Sequence, residues 1–252
     1  MHRPDPLPRT AQRRLVGLAA GLLLLGAGAA PAVETAVVQE ILDGKELFID
    51  QQRARPLDRA KAPQQLRTGA SRGQIGFESG AAGRLNRFSL LRLGHGCFLL
   101  ERGQILVSGR QAGCTRSSRM SVRGTNYVLG VNDDGSSELS VLEGRVEVEP
   151  LRDGEPSGQA ATIVMAGQRL RLSVKGAVLA LLGLSEADYN SVLQGPLFEG
   201  FRLPLPAYGS LESYLRSRLP GVSLPSLPSA PIPLPSAPSV PSVPSFSLPR
   251  FF

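Results

Sequence analysis

The sequence predicts an all-β fold, an antiparallel β-sandwich or roll, followed by short C-terminal helices and a Pro-rich tail. Three observations predict it. Short segments of alternating apolar and polar residues recur from Val33 to about Val174; turns containing Gly separate them; and no long helical pattern interrupts them. Regular spacing of this kind favours antiparallel sheets over alternating strand–helix units.

Along the chain, Val37–Leu42 and Lys45–Ile49 flank Asp43-Gly44, a pair typical of tight hairpins. Gln74–Phe77 leads to a turn at Ser79-Gly80, and Ser89–Leu93 is broken by Gly94-His95-Gly96. Cys97–Glu101 and Gln104–Val107 flank Arg102-Gly103, which predicts a second hairpin. Tyr127, Leu129 and Val131 alternate with Asn126, Val128 and Gly130 before the polar turn Asn132–Ser136. Leu139–Leu142 then turns at Glu143-Gly144 into Val146–Val148.

The pattern changes after residue 175. Ala177–Leu182 lacks strand alternation and is read with the helical extension 176–219. Ser185 is placed as an N-cap before Glu186–Asn190, whose acidic residues suit the first turn of a helix. Ser210–Arg216 reads as another short helix, stopped by Pro220. Residues 220–252 are low-complexity Pro/Ser/Leu/Val, expected to be extended or disordered, either as a semi-rigid spacer or as a tail with no partner.

Residues 1–32 have the order of a secretory signal peptide. Arg13-Arg14 precede an apolar run from Leu15 to Leu25, followed by the small-residue sites Ala27-Gly28-Ala29 and Ala30-Pro31-Ala32. The run is short for a membrane span, although an uncleaved anchor is the alternative. The expected location is the periplasm or outside the cell, with membrane attachment only if this segment is retained. Cys97 and Cys114, the only cysteines, would meet an oxidising compartment, where a disulfide is expected and two buried thiols are the alternative.

The net charge of +7 is not concentrated in any Lys/Arg run, and residues 1–32 carry four arginines against one aspartate. With no basic stripe legible, nucleic acid is not expected as a partner. His95, the sole histidine beyond residue 32, sits between two glycines and reads as a turn residue. Asp133-Asp134-Gly135 reads as turn chemistry because the further oxygen ligands of a calcium loop are missing. The chain has no phosphate loop, zinc spacing or nucleophile elbow. No catalytic residue, metal ligand or cofactor is expected, and no ligand-binding residue is assigned.

Six ordered segments between residues 66 and 170 carry a resemblance. Leu66–Phe77, Leu90–Gly94, Leu100–Val107, Ser121–Leu129, Val141–Val148 and Ala166–Leu170 resemble successive motifs of FecR-type domains. The motif residues Arg123, Gly124, Thr125 and Tyr127, and Leu142, Glu143, Gly144 and Val146, belong to two of these segments. Gly124 and Gly144 are expected where the backbone takes positive φ, with Leu142 and Val146 as core-facing residues beside the second turn. The form with two cysteines is similar to stand-alone FecR-domain proteins of cyanobacteria. The namesake proteins are single-pass regulators with a cytoplasmic segment that controls a sigma factor, but only fourteen residues precede the apolar run here. The resemblance therefore implies an exported module (33–175) that binds or scaffolds an envelope protein or polysaccharide. An inner-membrane-anchored sensory protein is the alternative.

Overall fold

The computed structural model describes residues 34–225. The readings of residues 1–32 as a signal peptide or an anchor, and that of the tail beyond residue 225, lie outside the described residues.

The chain passes back and forth between two sheets. β1 (Thr35–Leu42) lies in sheet I, β2 (Leu47–Ile49) and β3 (Gln52–Arg53) in sheet II, β4 (Arg59–Lys61) in sheet I, and β5 (Gln65–Thr68) in sheet II. β6 (Arg72–Phe77) and β7 (Ala82–Leu85) form a hairpin in sheet I, and β8 (Leu90–Arg92) returns to sheet II. β9 (Phe98–Gly109) belongs to both sheets. β10 (Gly113–Cys114) and β11 (Ser118–Val122) extend sheet II; β12 (Thr125–Val131) and β13 (Ser137–Glu143) extend sheet I. β14 (Arg145–Arg152), with the short β15 (Glu155–Pro156) at its end, and β16 (Thr162–Met165) complete sheet II. β17 (Gln168–Leu172) and β18 (Val178–Gly183) complete sheet I. The described pairings are antiparallel except β9–β10, which is parallel. The predicted all-β class holds.

Period-two alternation divides the side chains between two cores. Ile105 and Val107 of β9, Tyr127 and Leu129 of β12, and Leu139 and Val141 of β13 point between the sheets, where Val146 and Val148 of β14 meet them. Their neighbours Leu106, Val128 and Leu142 point the other way. They form a second core on the outer face of sheet I beneath α1 (Glu186–Leu193) and α2 (Tyr208–Arg218). Leu142 and Val146 are both fully buried, as expected, but in different cores. Gly144 lies between them at φ +86°, at the point where the chain leaves one sheet for the other. Ser185 caps α1 as expected: its hydroxyl accepts from the Asp188 amide while the Asp188 carboxylate accepts from the Ser185 amide.

Three local expectations are corrected. Asp43-Gly44 is not a hairpin: β1 pairs with β4 and β6, whereas β2 pairs with β3 and β5 in the opposite sheet. Arg102-Gly103 is not a hairpin either, because β9 continues through it and turns a corner from sheet II into sheet I. Gly103 takes φ +85°, and a Cβ there would stand 2.6 Å from the Ser89 Cα. Finally, 178–183 is a strand rather than helix. It pairs along β17, and because it is an edge strand with apolar residues on both faces, its sequence shows no alternation.

Candidate functional site

The outer face of sheet II carries a row of side chains drawn from five strands. Arg53 pairs with Phe48, Phe48 with Arg67, Arg67 with Leu90, and Leu90 with Arg102. Directly paired residues share a face. Leu47, Leu66 and Leu91, next to Phe48, Arg67 and Leu90 in sequence, point into the core, so these members of the row point outward, and Arg102, beside a bulge in β9, is exposed with them. The three arginines are exposed, while Phe48 and Leu90 are half-buried between them. The Arg67 guanidinium lies 4.4 Å from the centroid of the Phe48 ring. Strands are spaced about 4.8 Å apart, so the arginines recur roughly every 10 Å along a line crossing the strands. Among the described residues, none of the three has a carboxylate within ion-pairing distance.

The row ends at an open cleft of about 610 Å³ lined by Arg87, Phe88, Arg102, Gln104, Asn132 and Asp133, among others. Phe88 is 60% exposed at φ +57°, a conformation unfavourable for a bulky side chain. The surrounding loop holds it there. The Phe88 amide donates to the Gly69 carbonyl, the Thr68 hydroxyl donates to the Asn86 carbonyl, and the Ser89 amide donates to the Thr68 hydroxyl. The Ser89 hydroxyl donates to the Gln104 carbonyl and accepts from the Gln104 amide, tying the loop to the corner of β9. Arg87 is engaged by Asp43, whereas Arg102 is not. Together these residues form a surface that attracts anions and offers apolar platforms between the cationic groups.

The residues singled out from the sequence lie elsewhere. Cys97 and Cys114 form a disulfide, which suits an oxidising, extracytoplasmic environment. Arg123 and Gly124 are exposed at the turn into β12, with Gly124 at φ +61°. Thr125 and Tyr127 are fully buried; the Tyr127 hydroxyl donates to the Gln111 carbonyl at 2.8 Å, and burial raises its pKa. The Glu143 carboxylate accepts from Asn126 and from Ser210 of α2, joining the motif to the helical layer. His95 is exposed. Asp134 accepts from the Ser136 amide and hydroxyl, and these bonds lower its pKa, as turn chemistry would. Among the described residues, no group of three His, Cys, Asp or Glu side chains is placed to hold a metal ion. No described helix is long and apolar enough to cross a membrane.

No run of Lys/Arg in the sequence marks this row. The arginines at 53, 67 and 102 become neighbours only through strand pairing.

The fold and site define an all-β, disulfide-bonded sandwich with an arginine-lined face. No family model matches the chain, and no curated protein does. Among solved structures it is similar to two crystal structures titled "a putative anti-sigma factor" from Parabacteroides distasonis. One has 15% identity and a TM-score of 0.41, covering 60% of this chain and 72% of the other. The second has 16% identity and a TM-score of 0.39, covering 57% and 69%. Likeness at this level carries no argument about function.

Proposed function

We propose that the chain is an exported, non-enzymatic, FecR-like binding module of the cell envelope, periplasmic or secreted, which holds a carboxylated polysaccharide on the outer face of sheet II. The row Arg53–Phe48–Arg67–Leu90–Arg102 carries this reading. Guanidinium groups bind carboxylates through paired donors, and half-buried Phe48 and Leu90 offer platforms for the apolar faces of sugar rings. Alternating charge and apolar surface suits a polymer that itself alternates charged groups with ring faces. The exposed Phe88 extends the platform into the cleft.

The test is retention of the full chain on an immobilised carboxylated polysaccharide, with a neutral polysaccharide and an acidic peptide as comparison matrices. The Arg67→Glu and Arg102→Glu variants are expected to lose retention while melting like the parent protein. Unchanged retention in both variants would overturn the site, and retention on the acidic peptide alone would replace the polysaccharide with an acidic protein segment.

A further inference from the structure

The last described residues run back along α2. Leu219 closes the helix, Val222 is buried in the second core, and the Tyr208 hydroxyl, in the first turn of α2, donates to the Pro225 carbonyl at 2.6 Å. Between this returning segment and the helix lies an open groove of about 510 Å³. Tyr208, Leu215 and Arg216 are on one side of it, and Val222, Ser223 and Leu224 on the other. Ser223-Leu224-Pro225 is also the first copy of a repeated unit. Ser-apolar-Pro recurs at 226–228, 229–231, 236–238, 239–241 and 242–244. Three residues make one turn of a polyproline II helix, so a run of such units aligns its apolar residues on one face. In the second run that face is Ala237, Val240 and Val243, and Phe246 falls three residues further on. The period breaks between the runs, at Ile232-Pro233-Leu234-Pro235.

We propose that the Pro-rich segment of this chain doubles back at 232–235 and lays Ser242-Val243-Pro244-Ser245-Phe246 into the groove, with Val243 and Phe246 against Leu215, Val222 and Leu224. A reversal centred between Pro233 and Leu234 sets Val243 level with Leu224, and Phe246 level with Gly221. The lengths agree. Five residues of polyproline II cover about 15 Å, and the 11 residues of α2 cover roughly 16 Å. No charge has to leave water, because 226–249 contains no Asp, Glu, Lys or Arg. Polyproline II makes no internal hydrogen bonds, so its carbonyls are free to accept from the exposed Arg216 guanidinium at the rim. Grooves with an aromatic wall, here Tyr208, are the ordinary receptors of such segments. Pro225 is already seated at the rim of the groove, so this segment is tethered beside its own site and outcompetes the same sequence from elsewhere.

The chain contains no tryptophan, so Phe246→Trp in the full chain introduces a single reporter. Its emission is expected to be blue-shifted relative to that of Phe252→Trp, at every protein concentration. A nitroxide attached at Glu212→Cys is expected to quench it, whereas one at Leu57→Cys, also exposed but beside β4, is not. Adding Val243→Asp is expected to return the emission to that of Phe252→Trp with an unchanged circular dichroism spectrum. Water-like emission at position 246 would overturn the docking and leave the groove to a segment of another protein. A blue shift that is untouched by the label at position 212 or by Val243→Asp would also overturn it. A blue shift that appears only as concentration rises would give the groove to the Pro-rich segment of a second copy and overturn the intramolecular seat.

Discussion

The Arg84 guanidinium lies 4.3 Å from the centroid of the Phe201 ring, and this contact joins the outer face of sheet I to the segment between the two helices. Arg84 is 1% exposed. It donates to Gln74 Oε1 on β6 and to the carbonyl oxygens of Leu197 and Leu203. Arg72, on the same face, donates to the Pro196 and Glu199 carbonyls and pairs with Asp43. Burial lowers the Arg84 pKa to about 10, which leaves it charged at neutral pH. The helical layer is therefore held by two cationic side chains gripping backbone carbonyls as well as by the apolar core of Leu106, Val128, Leu142 and Tyr189.

Arg84→Met should cost about 3 kcal/mol, because it strands the buried Leu197 carbonyl and takes the donor from Gln74 Oε1 and the Leu203 carbonyl. Urea unfolding measures this. Arg84→Lys should recover little of the loss, since one ammonium cannot reproduce the planar fork that reaches two carbonyls and a side-chain amide.

Gly144 and Gly154 share φ +86° but differ in surroundings, which separates backbone strain from crowding. A Cβ at Gly154 meets nothing within 4 Å, whereas one at Gly144 would press into the Thr125 methyl and stand 2.9 Å from the Gly124 carbonyl oxygen. Gly154→Ala should cost about 1 kcal/mol from the left-handed backbone alone. Gly144→Ala should cost at least twice that, read from the two denaturation midpoints at equal slope.

Phe88 combines exposure with an unfavourable backbone, so Phe88→Gly should stabilise the fold by about 1 kcal/mol. The same change should weaken retention on a carboxylated polysaccharide. A gain in stability together with a loss of binding would mark Phe88 as kept for contact rather than for folding.

Asp43 gives a pH dependence of known sign. Its hydrogen bond with the Arg72 guanidinium, aided by the charges of Arg72 and Arg87, lowers its pKa below the ordinary carboxylate value. The unfolded chain therefore binds this proton more readily, so the Asp43 contribution is present above about pH 4 and is lost as pH falls toward the lower folded value. Asp43→Asn should flatten the acid limb of stability against pH while leaving the neutral-to-alkaline limb unchanged in shape.

Much of the fold was legible because alternation reports which residues share a face. Tyr127, Leu129 and Val131 were set on one face by spacing alone, and Ser185 was placed by its capping chemistry. What was not legible is which sheet a turn leads to. Asp43-Gly44 and Arg102-Gly103 have the residues of tight turns, but the strands they join pair with others far away in sequence. The second core was hidden for a related reason. Arg72 and Arg84 are charged residues on strands that look half-exposed, and only the segment folding back from residues 194–205 buries them. The arginine row was invisible for the opposite reason: each member is an ordinary exposed arginine until pairing lines up five strands.

The most direct test of the central claim is the affinity of the full chain for a fluorescent oligogalacturonate at several salt concentrations, measured beside Arg67→Ser. The account predicts saturable binding that weakens as salt screens the guanidinium groups. It also predicts a roughly tenfold weaker and less salt-sensitive Arg67→Ser, equivalent to about 1.4 kcal/mol. Binding that is absent in the parent protein, or equal in the two proteins at every salt concentration, would contradict it.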